Sequence, residues 1–175
     1  MPLTDDLLEQ AQTLVDADER RPKQANIRRA VSSAYYALFH EVLDATAREF
    51  VGGAAAKSEI GHRLRRATSH ANIKKACAWF SRAWANVPKP VKEMLGDATD
   101  VSADLRQFCE FFIELQGERH RADYDLALPM TRHEAKRLVA AARSAIKNLR
   151  AIEPSKERTT FLLGCLLGES LVKNA

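Results

Sequence analysis

Cysteine, glycine and proline are all scarce in this chain, and each scarcity excludes something. The three cysteines, Cys77, Cys109 and Cys165, are odd in number, far apart and without a Cys-x-x-Cys spacing, so neither a disulfide framework nor a zinc site is supported. A reducing, cytoplasmic setting is expected. Seven glycines and six prolines in a chain that is 46% hydrophobic exclude collagen-like repeats and extended disorder, leaving a soluble globular protein. No stretch approaches about 18 uninterrupted apolar residues, and "MPLTDDLLEQ" carries acids where a secretory signal needs basic residues, so neither a membrane nor export is expected. There is no glycine-rich phosphate loop and no His, Cys or carboxylate set at metal-binding spacing; no metal and no cofactor are expected.

What the chain does have is unevenly placed charge. The formal total is +4, yet from Lys57 to Lys92 nine basic residues face the single acid Glu59. Arg63, Arg65, Arg66, Lys74 and Lys75 lie in this segment. A concentrated field of one sign attracts polyanions, which makes these five candidates for RNA or nucleotide contact; a solvated basic face balancing acidic helices is the other reading.

The apolar periodicity is helical almost throughout, and 175 residues are enough for one domain that buries about 70% of its unfolded surface. Thr4 can cap a first helix bearing Leu7, Leu8, Ala11, Leu14 and Val15; Pro22 breaks it. A long second helix runs from about Gln24 to Val51, with Gly52 and Gly53 at its end. The basic segment suits one bent helix or two in succession, and the long connection from Asn86 to Asp100 either packs as a short helix around Val91 to Leu95 or is a surface element. Ser102 can cap a helix carrying Leu105, Phe108, Cys109, Phe112 and Leu115, which Gly117 interrupts; "RHRAD" then lies at or beyond a helix end. Thr131 and Glu134 form a capping-box pattern ahead of a clean stripe from Ala135 to Ile152. The expected fold is all-α, an up-and-down bundle of five or six helices over positions 1–153, with an apolar helix at 154–175 that packs on this domain or on a partner subunit.

Two patches carry a resemblance. "RRAVSSAYYALFHEVLDA" (Arg28 to Ala45) on the long helix, followed by "RHRADYD" (Arg119 to Asp125), resembles the HEPN family of small all-α domains, in order and spacing over about positions 5 to 150. The shared features are Ser33-Ala34-Tyr35-Tyr36-Ala37-Leu38-Phe39-His40 and Arg121-Ala122-Asp123-Tyr124; the tail after Pro154 has no family counterpart. The resemblance implies an HEPN-like bundle, a homodimer, and a minimal nucleotidyltransferase as partner in a toxin–antitoxin or defence pair. Some relatives are metal-independent endoribonucleases that use an arginine, four to six residues and a histidine, the imidazole handling protons while guanidinium stabilises the phosphate. This chain departs from that motif: after Arg119 and Arg121 no histidine follows until His133, and His120 sits between the arginines. Arg63 and Arg65 do precede His70 with six and four residues between, but with seventeen arginines and five histidines such pairings arise by accident.

Arg119, His120, Arg121, Asp123 and His40 are therefore the candidate reaction-centre residues, and Tyr36 and Tyr124 candidate ligand contacts. If the helix continues past Gly117, Arg119 and Asp123 share a face, as do His120 and Tyr124. That face either ties a helix end to its neighbours or meets a phosphate while Asp123 orients one guanidinium. Tyr35 and Phe39 read as core, Cys109 as a small buried hydrophobe, Trp84 as part of a buried stripe, and Trp79 as an exposed ring able to stack on bases. Three functions remain open: RNA or nucleotide binding, a divergent metal-independent endoribonuclease toxin, and a helical scaffold for another protein.

Overall fold

In a computed structural model the chain is described over residues 3–17, 21–53, 55–127 and 129–173. The described residues form nine α-helices and no strand: α1 (Leu3–Asp16), α2 (Gln24–Val51), α3 (Glu59–Ala67), α4 (His70–Phe80), α5 (Lys89–Leu95), α6 (Ala103–Tyr124), α7 (Arg132–Ala151), α8 (Lys156–Leu167) and α9 (Ser170–Lys173). Among them no helix is long and apolar enough to cross a membrane. Nine replaces the expected five or six because the basic segment and the connections are cut into short helices. Ser58 and Ser69 each accept a backbone N–H three residues on, so α3 and α4 begin at separate caps.

Local signals account for most of the other ends. Gly52, at φ 83°, follows the last residue of α2. At the start of α7, Thr131 Oγ1 accepts the Glu134 N–H at 3.1 Å, and the Glu134 carboxylate accepts the Thr131 N–H at 2.7 Å. Two expectations are corrected. α1 already begins at Leu3, which places Thr4 inside the helix, fully buried, rather than at its cap. α6 runs through Gly117 to Tyr124, because one glycine costs a helix only about 1 kcal/mol and Phe112, Leu115 and Ala122 are buried on either side of it. In the connection that follows, Leu128 lies outside the described residues.

The chain divides into two compact units, Met1–Glu41 with Phe111–Lys147, and Val42–Glu110 with Asn148–Ala175. In the first, α1 contributes Leu8, Ala11 and Val15 to the core, and α7 contributes Ala135, Leu138, Val139 and Ala142. From Ala30 to Phe39 every residue of α2 except Tyr36 is buried, so this stretch is enclosed on nearly all sides. Tyr35 stacks near Phe39 and lies 5.8 Å from the Phe112 ring.

In the second unit α8 lies on α4. Phe161 meets Phe80 and Phe108 edge-on at 5.5 and 5.8 Å. A Cβ at Gly164 would stand 3.2 Å from Ala76 Cβ and 3.3 Å from the Trp79 ring, so the helices approach closely because this residue has no side chain. The Arg158 guanidinium stands 3.2 Å from the Glu49 carboxylate, and Thr159 donates a hydrogen bond to that same carboxylate. Cys77, Cys109 and Cys165 are all fully buried, and burial pushes the Cys109 and Cys165 thiols well up, leaving them protonated core groups. The two tryptophans exchange the roles expected of them. Trp79 is buried, whereas Trp84 sits half-exposed in a 3₁₀ turn beneath the Lys92 ammonium, because α4 stops at Phe80 and the stripe does not continue.

Candidate functional site: the Arg119 corner

All of this site lies within the first unit. Arg28, Ser32, Tyr36 and His40 recur every four residues along α2 and so share one face. Opposite them are the last two turns of α6. Arg119 Nη2 donates to the Tyr36 hydroxyl at 2.9 Å, and Ser32 Oγ donates to Asp123 Oδ1 at 2.5 Å. Within α6, Arg119 Nε lies 2.7 Å from Asp123 Oδ2; its N–H is not aimed at that oxygen, so the attraction there is coulombic rather than a formed hydrogen bond. The guanidinium is surrounded by the rings of Tyr35, Tyr36 and Tyr124 at 5.9, 5.5 and 5.7 Å from their centroids. Desolvation works against its charge, but the Tyr36 oxygen and Asp123 outweigh it, and the pKa of Arg119 is raised. The result is a permanently charged group locked in one orientation.

Arg28 supports the corner from beneath. Its Nη1 donates to the carbonyls of Arg121, Ala122 and Asp125 at 3.2, 2.9 and 2.8 Å; the Arg121 carbonyl also accepts the Asp125 N–H, so it is the Ala122 and Asp125 acceptors at the end of α6 that the guanidinium chiefly supplies. Without such a partner the negative end of α6 would face the site uncompensated. Beside the corner is a cavity of about 170 Å³, lined by Leu3, Leu7 and Gln10 of α1 and by Arg29, Ser32, Ser33, Tyr36 and His40 of α2. Two of these lining residues, Ser32 and Tyr36, are the ones that hold Asp123 and Arg119. The cavity wall and the arginine are thus one hydrogen-bonded assembly.

No protein-family model matches the chain, and no curated protein or solved structure is significantly similar to it.

The candidates named from sequence separate into three groups. Tyr36, Arg119, Asp123 and Tyr124 come together, with His40 on the adjoining cavity wall. Arg121 points elsewhere: two residues along a helix is a turn of about 200°, and its guanidinium pairs with Glu118 at 2.7 Å and Glu134 at 3.3 Å. His120 is exposed, with its ring 4.8 Å from that of Tyr124. The basic candidates belong to the second unit. There Arg65 is held by Asp44 at 2.7 Å and by the Ala56 carbonyl at 2.6 Å, Lys75 pairs with Glu169, Arg63 pairs with Glu59 at 3.0 Å, and Arg66 and Lys74 are exposed. Among the described residues no three His, Cys, Asp or Glu side chains converge to hold a metal ion. Sequence reasoning missed Ser32, Arg28 and Arg29 as site residues. The i, i+4 recurrence of Arg28 and Ser32 ahead of Tyr36 is the signal that points to two of them.

Chemically, the corner offers one oriented guanidinium, a phenol polarised by accepting from it, an exposed second arginine at the cavity edge, and an imidazole on the wall. Asp123 cancels the charge of Arg119, so Arg29 supplies the net positive charge. This set suits an anionic, hydrogen-bonding ligand with a planar face that can lie on Tyr124.

Proposed function

We propose that this chain is an HEPN-like helical protein that binds RNA or a nucleotide at the Arg119 corner, acting as the helical partner in a nucleotidyltransferase-linked toxin–antitoxin or defence pair, with a homodimer as its working assembly. The observation that carries this reading is the meeting of the two sequence patches. Tyr36 and Ser32 from the first bond Arg119 and Asp123 from the second, as a shared anion-receptive site requires. Arg29 and Tyr124 add a cation and an exposed ring, the two elements that single-stranded nucleic acid and nucleotides engage.

The test is titration of fluorescein-labelled RNA and of labelled nucleotide with the purified chain in EDTA. Binding that weakens at least tenfold in Arg119→Ala, with the RNA left intact, is the expected result; equal binding by the variant ends the reading. His40, sharing a cavity wall with Tyr36, keeps a second reading in view, that of a divergent metal-independent endoribonuclease. Shortened RNA products that disappear in His40→Ala would favour the enzyme over the binder.

A further inference from the structure

The second unit carries a surface the Arg119 corner does not explain. α3 presents His62, Arg63 and Arg66 to solvent, the turn before it Lys57, and α4 Lys74. An ordinary soluble surface intersperses both signs. Here the acids that reach this segment are already engaged: Asp44 with Arg65, Glu169 with Lys75 and Lys173, and Glu59 with Arg63. Lys57, Arg66 and Lys74 are exposed and make no ion pair among the described residues. Helix stabilisation explains part of the pattern, since Arg65 and Arg66 lie in the last turn of α3, where cations are favourable. It does not explain α4, whose first turn has no carboxylate and opens with His70.

The backbone of α3 is also held in place. Arg65 reaches both the Asp44 carboxylate and the Ala56 carbonyl. Gly61 presses so closely on the preceding 3₁₀ turn that a Cβ there would stand 2.1 Å from the Ala56 oxygen. α3 is therefore fastened on one side by a buried glycine contact and a doubly bonded arginine, while its other side offers cations to solvent.

We propose that the exposed cations of α3 and α4, Arg66 and Lys74 foremost, bind the phosphate backbone of a strand of RNA. Its contacts are charge to phosphate, carried by Lys57, Arg66 and Lys74, which are exposed and make no ion pair among the described residues; the tryptophan nearest in sequence, Trp79, is buried. This deepens the reading of the chain as an RNA or nucleotide binder and rests on it. It names a polymer as the ligand, because several cations spread over two helices call for several phosphates along a strand.

The experiment measures binding of a labelled 20-nucleotide oligouridylate to the full chain, in EDTA, across about 50 to 200 mM salt. The proteins are the native chain, Arg66→Glu/Lys74→Glu, Arg66→Lys/Lys74→Arg, and Arg119→Ala, with far-UV circular dichroism and melting confirming the fold of each. The charge-reversed protein is expected to bind at least tenfold more weakly, with the slope of log affinity against log salt reduced by about 1.4 for two lost contacts to a single strand. The charge-preserving exchange restores both. Native affinity in the charge-reversed protein overturns the proposal. Loss of binding in that protein with full binding in Arg119→Ala sustains it while ending the Arg119-corner reading, and the reverse pattern does the opposite. RNA binding by none of the proteins, or stronger capture by phosphatidylserine vesicles than by RNA, overturns it as well.

Discussion

Tyr36 and Arg119, 83 positions apart, meet through a 2.9 Å hydrogen bond in which the guanidinium donates to the phenol oxygen. The bond joins α2 to α6, and Asp123 with Ser32 repeats the join one turn along. Four side chains therefore set the register of two helices. Tyr36→Phe removes the acceptor and leaves a half-buried charged donor unmatched, and is expected to destabilise the chain by roughly 1–3 kcal/mol in urea unfolding. In the same variant, RNA or nucleotide affinity should fall, because Arg119 loses the partner that orients it. Unchanged stability would mean that the register is set by packing alone.

Arg28 closes the end of α6 with three carbonyl contacts. Arg28→Ala is expected to cost about 1–2 kcal/mol and to speed amide hydrogen exchange in the last turn of α6, which carries Asp123. Arg28→Lys should recover much of this, since one nitrogen makes all three contacts and an ammonium carries three N–H donors. Exchange rates unaltered by Arg28→Ala would show that α6 needs no cap from α2.

The Glu134 carboxylate is held down to about 2 by the Thr131 hydroxyl and N–H, with Arg121 adding to the effect. Its pKa in the folded chain lies below the ordinary 4.5, so the unfolded chain binds the proton more readily. The stabilisation is accordingly complete above about 4.5 and disappears as pH falls towards 2. Glu134→Gln should give a shallower loss of stability across that window, and Thr131→Ala should cost about 1 kcal/mol at neutral pH. Identical acid unfolding curves for Glu134→Gln and the native chain would place the acid sensitivity elsewhere.

Two glycine substitutions should move stability in opposite directions. A Cβ at Gly117 meets nothing within 4 Å, so Gly117→Ala is expected to stabilise α6 by about 0.5–1 kcal/mol. At Gly61 the Cβ would strike the Ala56 carbonyl, and Gly61→Ala is expected to destabilise by about 1–3 kcal/mol. Melting temperatures of the pair against the native chain decide both.

Part of the site is legible in the sequence because it lies on one helix. The four-residue spacing of Arg119 and Asp123 is enough to put them on a common face, and the same spacing does so for His120 and Tyr124. The parting of Arg119 from Arg121 is hidden by Gly117, which reads as a break in a chain viewed alone yet sits comfortably in a helix whose neighbouring turns are buried. Trp79 and Trp84 exchange their expected roles for a related reason. A stripe can be extended on paper past the residue where α4 stops.

By itself the sequence determined the helical class, the capping box at Thr131 and the end of α2 at Gly52, because hydrogen bonds within a turn or two and side-chain periodicity decide these things; between Asn86 and Asp100 it left a short helix and a surface element both open, and the structure has the helix. Tertiary structure alone decided that Ser32 would bond Asp123, that Arg28 would close α6, and that Arg65 would be held by Asp44 while Arg66 stayed in solvent. Those choices depend on which face one helix turns towards another. That orientation is set by the packing of many buried side chains at once, and no local window contains it.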